Sequence, residues 1–168
     1  MSNLKGKFKG HNFHGAPERF EVVADFVANT WGRKIKYIAD VAGGQGMLTR
    51  ILNKKYNYSS EVIDPRGFTL VGVPNIQQEF NRNMATMYDL IIGLHPDQAT
   101  TEIVYSAFSK PTLLVPCCNF WDLNKKLGTK ELVQEIGNFY TKNNINYKME
   151  NLNFNSIKNI ALITNLNI

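Results

Sequence analysis

Between Tyr37 and Lys55 the sequence passes from a strand-like run, through a glycine turn, into a helical repeat. Tyr37-Ile38-Ala39-Asp40-Val41 is short and apolar, and Ala42-Gly43-Gly44-Gln45-Gly46 breaks it at once. Met47, Leu48, Ile51 and Leu52 then recur at three- and four-residue spacing up to the Lys54-Lys55 pair. A strand that turns directly into an amphipathic helix buries its apolar faces by laying that helix back on a sheet. The next parallel strand then follows by a right-handed crossover. Such a unit points away from helical bundles and all-β sandwiches and toward an open α/β sheet.

The rest of the chain repeats the alternation. Phe20, Val23, Ala24, Val27 and Trp31 mark an amphipathic helix between Pro17 and Gly32. Residues 60–63 read as a second strand capped by Asp64-Pro65-Arg66-Gly67, and residues 73–80 hold a third, shorter one. Residues 88–93 form the most apolar strand, followed by His95-Pro96-Asp97 and a helix over residues 98–108. A strand at 111–116, a helix at 131–140 and a closing strand at 160–164 complete the pattern, while the Asn-rich stretch 143–155 has no readable period. The expected fold is a doubly wound, mostly parallel α/β sheet with helices on both faces. Residues 1–16 are set apart as a basic arm, and 17–168 form one domain with no separate substrate domain.

At 168 residues the chain is one domain by size, able to bury a core without disulfides. Its formal charge of +5 favours polyanionic partners, nucleic acid being the common case; a Lys- and Asn-rich composition is the alternative source of that charge. No apolar run is long enough for a membrane span and the N-terminus lacks a signal core, so a cytoplasmic setting is expected. Cys117 and Cys118 are adjacent, and with three histidines no spacing suggests a zinc site.

Ligands of open α/β sheets bind beyond the carboxyl ends of the strands, where glycines let them approach the backbone and a helix end points at them. Asp64 ends the second strand, about 20 residues after the turn, where a carboxylate can accept two ribose hydroxyls. A nicotinamide cofactor and S-adenosylmethionine both fit that outline. The dinucleotide fingerprint lacks its third glycine, since Thr49 stands there, and Asp40 before the turn would repel a pyrophosphate. Asp40 suits instead a cationic amino group, with turn capping as its alternative role.

Residues 38–66 resemble motif I of the Class I S-adenosylmethionine-dependent methyltransferases, whose pattern [DE]-x-G-x-G-x-G is met by Asp40-Val41-Ala42-Gly43-Gly44-Gln45-Gly46 with Ala42 at the first glycine. The resemblance implies a Rossmann-like methyltransferase core. In it Asp40 serves the methionine end of the cofactor, Ala42, Gly43, Gly44 and Gly46 its middle, Asp64 the ribose and Glu79 the adenine. Leu94-His95-Pro96-Asp97-Gln98-Ala99-Thr100-Thr101 and Pro116-Cys117-Cys118 look like the pair H-x-C-G-x-x-T-D and P-C-C of a branch that includes some tRNA 2′-O-methyltransferases, with Asp97 among the departures from it.

This places His95 and Pro96 beside the cofactor and makes His95 and Asp97 the catalytic candidates, His95 as a general base; their alternative role is to shape the loop. A cysteine nucleophile is a third option. His14 and Arg19, in the aromatic and basic lead-in around Phe13, and Trp121 after the fifth strand are the expected acceptor-binding residues. Three functions remain open: a methyltransferase acting on RNA, one acting on a small molecule, and a noncatalytic module binding S-adenosylmethionine or a nucleotide. A minimal core also leaves room for a protein partner in substrate recognition.

Overall fold

A computed structural model describes residues 15–166. Helix α1 (Arg19–Trp31) leads into β1 (Tyr37–Val41), α2 (Met47–Tyr56), β2 (Ser59–Ile63) and the two-residue β3 (Asn75–Ile76). There follow β4 (Leu90–Leu94), α3 (Thr100–Ser106), β5 (Thr112–Val115), α4 (Thr129–Lys142), β6 (Tyr147–Asn151) and β7 (Ile160–Thr164). The strands form one sheet in the order β3-β2-β1-β4-β5-β7-β6. The first five run parallel, and β7 pairs antiparallel with both β5 and β6.

Alternation along the strands splits the core into two layers. Leu90 and Ile92 of β4 face α1 and α2, packing with Val23, Val27, Trp31, Leu48 and Leu52. Ile91 faces the other way, with Ile103 and Val104 of α3 and Leu132, Ile136 and Tyr140 of α4. Each fully buried Leu or Ile contributes roughly 1.5–3 kcal/mol, so both faces are needed to hold the sheet. The topology reverses between β1 and β4, and this opens the crevice at their carboxyl ends.

The structure adds to this outline in three places. The last two strands form an antiparallel hairpin whose second strand inserts beside β5. Strand β6 lies inside the Asn-rich stretch, where polar side chains hid it: it is an edge strand, largely exposed, and shows no buried period. The helix expected from residue 98 begins as a 3₁₀ turn over Asp97–Ala99, and α3 proper starts at Thr100. A 3₁₀ segment, Arg82–Met87, also precedes β4.

Candidate functional site

The turn after β1 is built around one buried carboxylate. Asp40 is 1% exposed, and its Oδ2 accepts the Thr49 hydroxyl of α2 at 2.9 Å; that hydroxyl lies 3.1 Å from Ser60 of β2. Burial raises the Asp40 pKa to about 7, against the opposing hydrogen bonds from Thr49, and the nearby Asp64 charge adds to the rise. Gly43 passes directly over this carboxylate: a Cβ there would lie 2.6 Å from Asp40 Cγ and Oδ2. Ala42 is held at φ 55°, its N–H donating to Ile63 O at 2.9 Å, and Gly46 at φ 77° packs so closely that a Cβ would sit 2.6 Å from Val73 Cγ1.

Asp64 stands at the end of β2 with its side chain 3% exposed, and it is fully engaged. Its Oδ1 accepts the Arg66 N–H and Nε–H, both at 2.9 Å; Oδ2 accepts Gly44 N–H at 3.0 Å and Arg66 Nη2–H at 2.6 Å. Four donors fill the roughly four acceptor positions of a carboxylate. Burial pushes the Asp64 pKa up, but the Arg66 and Gly44 bonds outweigh it and hold the carboxyl below its ordinary value.

Beyond β4 the chain makes a loop with two non-glycine residues in the left-handed region, His95 at φ 57° and Asp97 at φ 47°. His95 N–H donates to Val115 O at 2.9 Å, which ties the loop to β5. Its ring Nε2 lies 2.9 Å from the Lys158 carbonyl. A carbonyl only accepts, so Nε2 carries the proton and Nδ1 is the basic nitrogen. Burial lowers the His95 pKa, the Lys158 carbonyl opposes this, and the Arg19 and Lys158 charges reinforce it, so the ring is neutral at pH 7. Cys117 donates its thiol to Asp97 Oδ1 at 3.0 Å. Burial and then Asp97 push that thiol's pKa well up, so Cys117 is poorly suited to act as a nucleophilic thiolate.

Two clefts open at these strand ends. One, of about 550 Å³, reaches Ile63, Asp64, Glu79, Phe80, Pro96 and Gln98. The other, of about 410 Å³, reaches Arg19, Phe20, Asp40, Gly43, Gly44 and Lys158. Ala42, Arg66, His95 and Asp97 line both, and so form the waist between them.

The expected site residues therefore converge with few exceptions. Asp40, Ala42, Gly43 and Gly44 meet at the second cleft; Asp64, Glu79 and Pro96 meet at the first; His95 and Asp97 stand between. Gly46 lines neither cleft and instead lets α2 start against Val62 and Val73. Arg19 is 9% exposed, donates to Ala16 O at 2.9 Å, covers the Phe20 ring at 4.3 Å, and has no ion-pair partner among the described residues. Trp121 sits in neither cleft. It packs on Phe139 at 5.0 Å and Tyr105 at 6.1 Å, and its neighbour Phe120 lines the first cleft instead. His14 and most of the basic arm lie outside the described residues. Sequence reasoning missed Arg66 and Lys158 as site residues. A guanidinium two residues beyond Asp64 was a usable signal for the first; Lys158 carried none.

No protein-family model matches the chain, and no curated protein matches its sequence. Solved structures do. Over 86% of this chain and 89% of the other, it superposes on Streptomyces venezuelae DesVI with a TM-score of 0.57 at 10% identity. It superposes on a SAM-dependent methyltransferase from Aquifex aeolicus with a TM-score of 0.53 at 14% identity, covering 88% and 91%. The plantazolicin methyltransferase BpumL, solved with SAH, gives a TM-score of 0.56 at 12% identity, covering 86% and 81%. The fold is the one these structures share, the Aquifex aeolicus methyltransferase and BpumL among them. Nothing in that likeness extends to the H-x-C-G and P-C-C branch or to tRNA. No helix among the described residues is long and apolar enough to cross a membrane.

Proposed function

We propose that this chain is an S-adenosylmethionine-dependent methyltransferase whose acceptor is RNA. The observation that carries the cofactor reading is the placement of two buried carboxylates, Asp40 and Asp64, at the ends of adjacent strands on either side of a glycine turn. The residues fit the group. Asp40, under Gly43 in the second cleft, would hold the cationic amino end; Asp64, in the first, would take the ribose; Glu79 and Phe80, which line the same cleft as Asp64, would flank the adenine. When bound, the cofactor supplies a sulfonium methyl that is already electrophilic, so the protein's task is orientation and proton removal.

Arg66 has to yield for this. Two of the four bonds to Asp64 come from backbone and two from the Arg66 side chain. Turning that side chain outward frees two acceptor positions, as many as a ribose has vicinal hydroxyls. The released guanidinium would then join Arg19 and Lys158, which line the second cleft with it. Three cations around one opening favour an anionic acceptor, and together with the +5 net charge this supports RNA. Neutral His95, with Nδ1 as its base position, would take the proton of an acceptor hydroxyl or amine.

Calorimetric titration with S-adenosylmethionine, S-adenosylhomocysteine and NAD, repeated with Asp64→Ala, tests the cofactor. Micromolar binding of the first two, lost in the variant and absent for NAD, is expected; NAD binding alone would overturn the reading. Transfer of labelled methyl to RNA, but not to small acceptors, tests the substrate.

A further inference from the structure

Strands β4 and β5 are parallel neighbours, with Leu94 paired to Val115. Their loops leave the sheet side by side, and this brings Asp97 against Cys117 and Cys118, 20 residues on. Cys117 Sγ is 3.0 Å from Asp97 Oδ1, and one ligand atom from each of the three residues lies within 4.8 Å of the others. In a tetrahedral zinc site with bonds of about 2.0–2.3 Å, ligand atoms stand roughly 3.3–3.8 Å apart, the same scale as this cluster. We propose that Asp97, Cys117 and Cys118 form a site for a thiophilic divalent cation, zinc being its ordinary occupant.

Charge supports the assignment. Two thiolates and a carboxylate carry three negative charges, and a divalent cation leaves one. Lys158, whose Nζ is 3.9 Å from Cys118 Sγ, supplies the remaining positive charge. Donor type agrees as well: sulfur ligands select zinc and similar soft metals over magnesium or calcium. Three protein ligands leave a fourth position for water, or for an oxygen or sulfur atom of a bound molecule. Asp97 lines both clefts and Cys117 the second, so that molecule enters from the proposed acceptor side. The site needs no cofactor, so its test stands apart from the methyltransferase reading.

Reduced, metal-free protein is titrated with Co²⁺ and followed by absorbance, then displaced with Zn²⁺. The expected result is one cobalt per chain with a thiolate-to-cobalt charge-transfer band, which is lost when Cys117→Ser and Cys118→Ser are combined. Asp97→Asn should weaken binding at least tenfold. A second readout needs no variant: stoichiometric Zn²⁺ should protect both cysteines from maleimide, and a chelator should restore their labelling. Absence of the band, a band that survives the double serine variant, unchanged affinity in Asp97→Asn (an adventitious ion only) or labelling indifferent to zinc would each overturn the proposal.

Discussion

Asp40 shows how a single side chain can set stability and binding against each other. Its folded-state pKa of about 7 lies above the ordinary 3.8, so between those values the folded chain holds a proton that the unfolded chain has released. The stability this confers is complete below about pH 4 and is lost as pH rises through about 7. Asp40→Asn should therefore flatten the decline: its urea midpoint should exceed that of the parent at pH 8 by more than at pH 5. Affinity for S-adenosylmethionine should move the other way. In the parent it should rise as pH climbs through about 7 and Asp40 ionises; the Asn variant should bind weakly and without that rise. Parallel pH slopes for the two proteins would count against the buried-carboxyl account. Gly43 is the companion position. Gly43→Ala forces its methyl against the Asp40 carboxylate and should cost about 1–3 kcal/mol in chemical denaturation. The same variant should lose cofactor binding more than tenfold in titration.

At the scale of elements, the site depends on how closely α3 lies on β4. A Cβ on Gly93 would run into Ile103 Cδ1 and come within 3.0 Å of Pro96 Cγ. Gly93→Ala should therefore destabilise by about 1–3 kcal/mol through overpacking and displace the His95–Asp97 loop along with the helix. Its mark would be a lower melting temperature together with weaker cofactor affinity; an unaltered protein would mean that α3 has slack. This level was also the most legible in the sequence. Strands β1, β2, β4 and β5 and helices α1, α2 and α4 all carry apolar periods that buried faces impose. What escaped was set by exposure or by tertiary pairing. Strand β6 has no inward-facing run, and the antiparallel sense of β7 is fixed by its neighbours rather than its residues. Asp97 and the two cysteines have no ligand spacing, because adjacent strands bring them together and the chain does not. The glycine turn, Asp40 and Asp64 stand out in the sequence because a sharp turn and a charged strand end leave few residue choices; Trp121 lines neither cleft, and an aromatic ring serves packing and pockets equally well.

Across the whole molecule, positive charge is unevenly used. Lys55, Arg82 and Lys125 are paired with carboxylates, whereas Arg19 at the second cleft has no ion pair among the described residues. If RNA is the acceptor, its affinity should fall steeply with salt, the slope reporting how many phosphates are met. Lys158→Ala should reduce that slope by about one contact while leaving binding of S-adenosylhomocysteine nearly unchanged. Filter binding over a salt series measures the first and calorimetry the second; a slope untouched by the substitution would remove Lys158 from the acceptor surface. The sheet order has a consequence of another kind, for synthesis. Strand β7 is the last of the described strands in the chain, yet it lies inside the sheet, clipped between β5 and β6. As the polypeptide leaves the ribosome, β5 therefore waits with an open apolar edge until residues 160–164 have emerged. During that interval the nascent chain is a template for any other strand that finds it, which makes this protein's yield sensitive to chaperones and to the pace of translation over its final third.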